Sequence, residues 1–262
     1  MITRDRHDTG PLTPVYMLWA QLDDSAIHDL KTGRLRRYAL GGGVATHETW
    51  LELKSVWNAR LWDSGNPTKI EWFHYTEWKR ARLGKAREGQ PFYGWSRVQL
   101  EQLLTDLARV ISKREVHYLC ASVRAVVSKR AVRDSYLEVV KHVITRAEQI
   151  PRWMSQEDQI SLTLSDHAEV GGTRIQRFFD LLKRIHPLTE ACIIGNPRSD
   201  VPLQVADLIV NHMARSRNMR ASFGPKFLMP FMTEVMQLLK REPPFHHMIE
   251  WHKDDDLGSP ED

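Results

Sequence analysis

Residues 15–26 have the sequence VYMLWAQLDDSA, in which an apolar run is followed at once by two acids. The run over 15–22 predicts a buried β-strand that ends at Asp23 and Asp24. Removing a carboxylate from water costs free energy unless a cation or a hydrogen bond compensates for it. The two acids therefore indicate either ordinary turn chemistry at a strand end or a place where a cation binds.

The composition is that of a globular protein with a sizeable core. The chain has 262 residues, 42% of them hydrophobic, which suits one large domain or two small ones. No apolar run approaches the ~18 residues of a membrane span, and the N-terminal residues lack the apolar core of a signal peptide. We therefore expect a cytoplasmic protein that does not contact a membrane. Cys120 and Cys192 lie in apolar segments, so we expect buried thiols and no disulfide.

The charge is unevenly distributed along the chain. The formal net charge is +4, although acids are concentrated in residues 254–262, so the rest of the chain is more strongly basic. Basic clusters lie at 34–37, 79–87, 128–133 and 214–220. These clusters are either solvated helix and loop faces or a surface that contacts the phosphates of a nucleic acid.

Hydrophobic periodicity predicts an antiparallel start followed by strands that alternate with helices. The expected strands are 15–22, 35–45, 69–75, 116–125, 159–166 and 190–196. The expected helices are 46–62, 97–112, 134–150, 173–185, 200–217 and 226–241. Gly41–Gly43 indicates a bulge or a strand end in preference to a phosphate cradle, because no Lys-Ser or Lys-Thr pair follows it. The pattern predicts an α/β fold with a mixed β-sheet flanked by helices.

Three acids stand at positions that the hydrophobic pattern does not explain. Asp23 and Asp166 follow predicted strands, and Asp207 lies in the apolar helix segment LQVADLIV, on one face with Gln204 and Asn211. Taken singly, they are turn residues or part of a solvated helix face. Taken together, they predict a site that binds Mg²⁺ or Mn²⁺ through oxygen ligands. Converging carboxylates repel unless a cation neutralises them, and a divalent ion can then activate water for phosphodiester cleavage.

His74 and Glu77, in the segment EWFHYTEW, are the candidate catalytic residues. A histidine at this position can orient water, transfer a proton or bind metal, and the alternative is a satisfied core residue. Glu77 is a candidate fourth carboxylate, and Glu169 is a further candidate. The sequence has no CxxC pair, no HExxH, no GxSxG and no Walker-type loop, so acyl transfer and nucleotide hydrolysis lack support.

The order of these motifs resembles a bacterial family known as domain-of-unknown-function family three-thousand-eight-hundred. The motifs that carry the resemblance are Asp23-Asp24-Ser25-Ala26, LGGGV at 40–44, Phe73-His74-Tyr75-Thr76-Glu77 with FYGW at 92–95, LTLSD ending at Asp166, and Leu203-Gln204-Val205-Ala206-Asp207. Each is short, and the resemblance rests on finding the whole set in order between about 15 and 217. The chain departs from the family pattern at Asp24, where the family has Glu, and at Ala26, where it has Gly.

The resemblance implies a ribonuclease H-like fold and a divalent-metal-dependent nuclease. We expect one domain over 1–245, with a helical insertion around 62–96 and a C-terminal helical extension, followed by a flexible acidic tail over 246–262. A link to defence against phage or mobile elements is implied by the same resemblance.

The resemblance also implies how the site residues divide the work. The metal ligands for Mg²⁺ or Mn²⁺ would be Asp23, Asp166 and Asp207, with Asp24 on the opposite face of its strand. His74 would assist proton transfer, and the basic stretch 79–87 would contact the phosphates of DNA or RNA. Two rival functions remain: a non-catalytic nucleic-acid or protein binding module on the same fold, and a metal-dependent hydrolase of a small phosphorylated substrate.

Overall fold

A mixed β-sheet of five strands, extended by a four-residue sixth, forms the centre of the structure. The computed structural model describes residues 17–28, 35–124, 136–137, 139–144, 159–166, 172–184, 189–223 and 249–252. The strands are β1 (Met17–His28), β2 (Leu35–Thr46), β3 (His117–Arg124), β4 (Gln159–Ser165), β5 (Thr189–Gly195) and β6 (Ile249–His252). The helices are α1 (His47–Leu61), α2 (Tyr75–Arg82), α3 (Arg97–Ser112), α4 (Gly172–Leu182) and α5 (Val201–Phe223), and residues 136–137 and 139–144 are also helical.

The strand order in the sheet is β5-β4-β1-β2-β3-β6. β2 pairs antiparallel with both β1 and β3, whereas β1 with β4, β4 with β5, and β3 with β6 are parallel pairs. Among the strands that the structure describes, β2 therefore runs against all the others. The predicted fold class, an α/β fold with a mixed sheet flanked by helices, is confirmed.

β1 is longer than the sequence predicts, because it has two different neighbours. Its parallel pairing with β4 ends at Leu22↔Leu164, which is where the apolar run also ends. Its antiparallel pairing with β2 continues to His28↔Leu35. The prediction that Asp23 and Asp24 end the strand is therefore wrong. Both residues lie within β1, next to the point where β4 ends.

Each face of the sheet is covered by its own apolar core. On one face, α1, α3 and α5 pack against the sheet, and Trp19 of β1 borders this core. On the other face, the helical residues 136–137 and 139–144 and α4 cover Leu18, Ala20 and Leu22 of the same strand. The alternation of β1 side chains between the two faces places Asp23 on the α5 face.

Each of the three consecutive glycines of β2 lies where a Cβ would be too close to a neighbour, and Gly42 is the one that faces α5. A Cβ on Gly42 would overlap the carbonyl oxygen of Gln21 and lie 2.8 Å from the Ala206 Cβ of α5. The predicted bulge or strand end at these glycines is wrong, since the pairing of β2 with β1 is regular from Thr46 to Arg37. Close packing explains the glycines instead, against β3 at Gly41, against β1 and α5 at Gly42, and against Val116 and Trp50 at Gly43.

The predicted strand over 69–75 is also wrong. Residues 69–74 are irregular, and α2 begins at Tyr75. The backbone N–H groups of Phe73 and Tyr75 donate to the side chains of Gln204 and Asp207 on α5, which takes the place of a neighbouring strand. The alternating aromatic pattern reflects burial of Phe73 and Tyr75 in the core and not membership of a sheet.

Several other predictions can be compared directly with the structure. The Thr46 cap of α1 and the Ser96–Gln99 capping box of α3 are present. Cys120 and Cys192 are free and buried, as expected. None of the described helices is long and apolar enough to cross a membrane. Glu169 and the predicted helix 226–241 lie outside the described residues, as does most of the predicted tail, of which residues 249–252 form β6.

The close approach at Gly42 gives the first testable prediction. Gly42→Ala should lower the free energy of unfolding by about 2–4 kcal/mol, because β1 or α5 must shift to admit the methyl group. Urea denaturation of both proteins measures the difference. Gly65→Ala is the control, since the nearest atom to its added Cβ would be the exposed Asp63 Oδ1 at 3.3 Å. Equal stability of the two variants would contradict the packing argument.

Candidate functional site

A cleft of about 500 Å³ opens where the parallel strands β1 and β4 separate beyond their last shared pair. Ligand sites of open α/β sheets commonly lie at this carboxyl edge. The cleft is lined by Asp23–Ala26 of β1, Ser165 at the end of β4, the loop Asn196–Arg198 after β5, Asp207 and Asn211 of α5, and Trp72, His74 and Thr76 near the start of α2.

Asp23 is buried on the α5 side of the sheet, with 8% of its surface exposed. Its Oδ1 accepts a hydrogen bond from the backbone N–H of Asp24 at 2.9 Å, and Ser165 also donates to its carboxylate. Burial raises the pKa of Asp23 well above its usual range, and the charges of Asp207 and Asp24 raise it further, whereas the two hydrogen bonds lower it. The carboxylate is therefore under-compensated and favours a proton or a cation.

Asp207 is equally buried, but its carboxylate is fixed by N–H donors. Oδ2 accepts from the Tyr75 backbone N–H at 2.6 Å, and Oδ1 accepts from Asn211 Nδ2 at 2.6 Å. Asn211 in turn accepts from the Ser25 hydroxyl at 3.1 Å, which ties α5 to β1. The orientation of this carboxylate is set by its neighbours before any ligand arrives.

Gln204 completes the polar stripe that the helical spacing predicted. Its Oε1 accepts from Trp57 Nε1 at 3.1 Å and from the Phe73 backbone N–H at 2.9 Å. Gln204, Asp207 and Asn211 are all less than 5% exposed, so the alternative of a solvated helix face is excluded. Together, Gln204 and Asp207 hold the backbone on both sides of His74 against α5.

His74 lies at the cleft wall, immediately before α2. Its ring is stacked on Trp72, with centroids 5.3 Å apart, and the Arg198 guanidinium lies 5.2 Å from the centroid of the same tryptophan. Burial lowers the pKa of His74, and the charge of Arg198 lowers it further, so the imidazole is neutral near pH 7. Its buried Nδ1 has no hydrogen-bond partner among the described residues. A neutral ring with an unused nitrogen can accept or donate a proton.

Glu77 lies one turn into α2 and does not line the cleft. It is half-buried, and its Oε2 has no hydrogen-bond partner within the part of the chain that is described. Burial raises the pKa of Glu77, and the charges of Arg198 and Arg80 oppose this rise. Glu77 therefore interacts with Arg198, the same guanidinium that affects His74.

Asp166 does not join Asp23 and Asp207. Its side chain is exposed and does not line the cleft, and its charge acts on Tyr136, in the core on the other face of the sheet. The reason is strand alternation: Ser165 faces Asp23, so the next residue points away. Across the described residues, no three His, Cys, Asp or Glu side chains are grouped to hold a metal ion, so the predicted three-carboxylate cluster is not formed there.

Asp24 borders the cleft, but its carboxylate interacts with the opposite face of the sheet. Burial raises the pKa of Tyr38 far above its usual value, and the charge of Asp24 and its hydrogen bond with the Tyr38 hydroxyl raise it further. This position agrees with the prediction that Asp24 faces away from Asp23.

Ser165 and Arg198 are among the cleft-lining residues that sequence reasoning missed. The period-two pattern would have found Ser165, because Ile160, Leu162 and Leu164 occupy the opposite face of β4. Arg198 has no local signal: it lies in the turn between β5 and α5, and only the fold brings it to Trp72.

Comparison with models of known protein families gave no match, and comparison with curated protein sequences found no significant similarity. The resemblance described above therefore stays a prediction.

The burial of Asp23 generates a test of the electrostatics. Because its folded pKa is raised, its contribution to stability is full below the unfolded value and is lost as pH rises through the folded pKa. Asp23→Asn removes this loss and keeps an oxygen for the Asp24 N–H. With EDTA present, the variant should gain stability relative to wild type as the pH rises above about 4, the ordinary pKa of aspartate.

Urea denaturation across this pH range measures the difference, and Asp166→Asn, an exposed aspartate, is the matched control. If the difference in the free energy of unfolding between Asp23→Asn and wild type does not change with pH, the pKa of Asp23 is not raised in the folded protein.

Proposed function

We propose that the chain is a divalent-metal-dependent hydrolase of phosphodiester bonds, a nuclease with a ribonuclease H-like fold. The observation that carries this proposal is the placement of Asp23 and Asp207 together in an open cleft at the carboxyl edge of the sheet. Two buried like charges at one place are unfavourable unless a cation offsets them. A site built this way is expected to hold a cation.

The residues present fit Mg²⁺ or Mn²⁺. Magnesium sites commonly use one or two carboxylates and complete their coordination with water and substrate phosphate oxygens. Asp23 and Asp207 would supply the carboxylates. Each oxygen of Asp207 that accepts an N–H bond still has a second lone pair. When bound, the ion would lower the pKa of water and stabilise charge on phosphate oxygens.

The side chains around the carboxylates fit a nucleotide substrate. Arg198 carries a guanidinium into the cleft lining, where it can pair with a phosphate in a bidentate manner. Trp72 contacts both His74 and Arg198 and holds the two side chains next to each other in the cleft lining. His74, neutral near pH 7, is the group that would accept the proton of an attacking water. Glu77 would modulate Arg198 and would not contact the substrate.

The assignment to a ribonuclease H-like fold is supported by the sheet and by the placement of the motifs. β1 is a central strand that carries Asp23, and β2 runs antiparallel to it. Asp23, His74 and Asp207, which come from three separate motifs of the resemblance, all line one cleft. The motif ending at Asp166 contributes Ser165 instead, so the proposed metal site has two protein carboxylates.

Metal binding is the direct test of the proposed function. Calorimetric titration of Mn²⁺ into the protein should give saturable binding, and Asp207→Asn and Asp23→Asn should each weaken it by at least about tenfold, since each removes a charged ligand. Asp166→Asn should bind as wild type does, because Asp166 lies away from the cleft.

Hydrolysis of single-stranded and double-stranded DNA and RNA would then be assayed with the same four proteins. If Asp166→Asn lost Mn²⁺ binding and Asp207→Asn retained it, the metal ligand would be Asp166, and the assignment of Asp207 as a ligand would be wrong. Absence of Mn²⁺ binding, both alone and with a phosphorothioate oligonucleotide, would favour the non-catalytic binding module.

His74 gives a second test, in the pH profile of hydrolysis. His74→Ala should lower kcat by about 100-fold and leave Mn²⁺ affinity within about twofold, because the residue moves a proton and holds no metal. In wild type the rate should fall on acidification below pH 6.5, the ordinary pKa of histidine, and this acid limb should be absent in the variant. Thr76→Ala, at another cleft-lining position, is the control. An unchanged acid limb in His74→Ala would exclude the proposed role.

A further inference from the structure

A second groove of about 370 Å³ lies beside the cleft, and the two share Trp72. We call it the aromatic groove; it is lined by residues 68–72, residues 89–91 and Tyr93. Trp72 borders both the cleft and the aromatic groove. A polymer that is bound in the cleft and continues past this ring therefore enters the groove. None of the functions assigned to the cleft uses this groove.

The backbone at Phe92 presents Tyr93 to the solvent. Phe92 has φ of 64°, in the left-handed region that is strained for an aromatic residue. Its side chain is 1% exposed and packs edge-to-face on Phe73 and on Trp95, and this burial holds the strained backbone in place. The adjacent Tyr93 is 50% exposed and lines the groove. Strain of this kind is concentrated at ligand-binding places in proteins.

One basic residue lies in the lining of the aromatic groove, and two more lie close to the lining in sequence. Lys69, in the lining, lies 4.9 Å from the ring centroid of the half-exposed Trp62. Lys85 and Arg87 are exposed, and Arg87 is joined to the groove through backbone and side-chain hydrogen bonds with Gln90.

Three other charged residues of this region limit the basic character. Glu71, in the lining, and Glu88, beside it, are acidic and exposed, and can accept hydrogen bonds from base amino groups. Arg82, within the basic stretch 79–87, is held by Glu101 at 2.8 Å and belongs to the α2–α3 contact.

We propose that the aromatic groove is a stacking site for an unpaired base of a single-stranded nucleic acid whose backbone continues into the cleft. This inference rests on the proposed function, since it assigns the same cleft a single-stranded substrate. An exposed aromatic ring, Tyr93, with a lysine in the same lining and an arginine nearby in sequence, is the combination that binds single strands without sequence preference. In a duplex the faces of the bases are stacked on one another, so no base is available to stack on Tyr93.

The test is equilibrium binding of a fluorescein-labelled single-stranded oligonucleotide in EDTA, where hydrolysis does not occur. Tyr93→Ala should weaken binding by about 5- to 150-fold, because stacking on one aromatic is worth about 1–3 kcal/mol. Tyr93→Phe keeps the ring and should bind as wild type does. Leu83→Ala, an equally exposed apolar residue of the same region outside the groove, should have no effect. Affinity for a duplex of the same sequence should not change in Tyr93→Ala.

Three results would overturn the inference: single-strand binding that Tyr93→Ala leaves intact, an equal loss in Tyr93→Phe, or an equal loss of duplex affinity. Wild-type protein that binds no single strand, in EDTA or with Ca²⁺, would overturn it as well. The outcome is separable from that of the proposed function. If single-strand affinity depends on Tyr93 but no metal-dependent hydrolysis is found, the stacking site is supported and the nuclease function is rejected. If the protein hydrolyses nucleic acid and Tyr93→Ala leaves single-strand affinity unchanged, the nuclease function is supported and the stacking site is rejected.

Discussion

Two side-chain acceptors on α5 organise the whole site. Gln204 and Asp207 accept hydrogen bonds from the backbone N–H groups of Phe73 and Tyr75, in a segment that has no strand or helix neighbour to satisfy them. Unsatisfied N–H groups in the core would be costly, so this segment needs α5 where it is. Gly42 of β2, which admits Ala206 against the sheet, allows α5 to lie at the required distance. His74 and Trp72 reach the cleft because of this arrangement.

The same helix creates the electrostatic imbalance of the cleft. Asp207 is surrounded by donors, whereas Asp23 receives two hydrogen bonds and faces the charges of Asp207 and Asp24. Stability alone would favour an apolar or amide side chain at Asp23, since a buried charge without a partner is unfavourable. A carboxylate retained at such a place is typical of functional sites, where local strain is accepted for binding or chemistry.

The sequence predicts those features of the site that depend on one helix or one strand alone. The polar stripe of α5 follows from helical spacing, and the opposed directions of Asp23 and Asp24 follow from strand alternation. The same alternation, applied to Leu162 and Leu164, would have selected Ser165 over Asp166, but the identity of an acid at a strand end suggested otherwise. The segment 69–75 alternates like a strand because two of its aromatics are buried. Its hydrogen-bond partners are side chains remote in sequence, and no local pattern reveals them. Arg198 meets Trp72 for the same non-local reason.

The N–H bonds of Phe73 and Tyr75 also determine how this part of the molecule opens. A loop whose amides bond to water or to its own turn can unfold locally, at a low free energy. Here the amides bond to a helix that crosses the central strands, so the irregular segment cannot leave unless α5 also loses two buried partners. The segment is irregular in shape but belongs to the same cooperative unit as the core. A ligand that engages Trp72 and His74 therefore acts on a rigid wall, and its binding energy is not reduced by the entropy of ordering a loop.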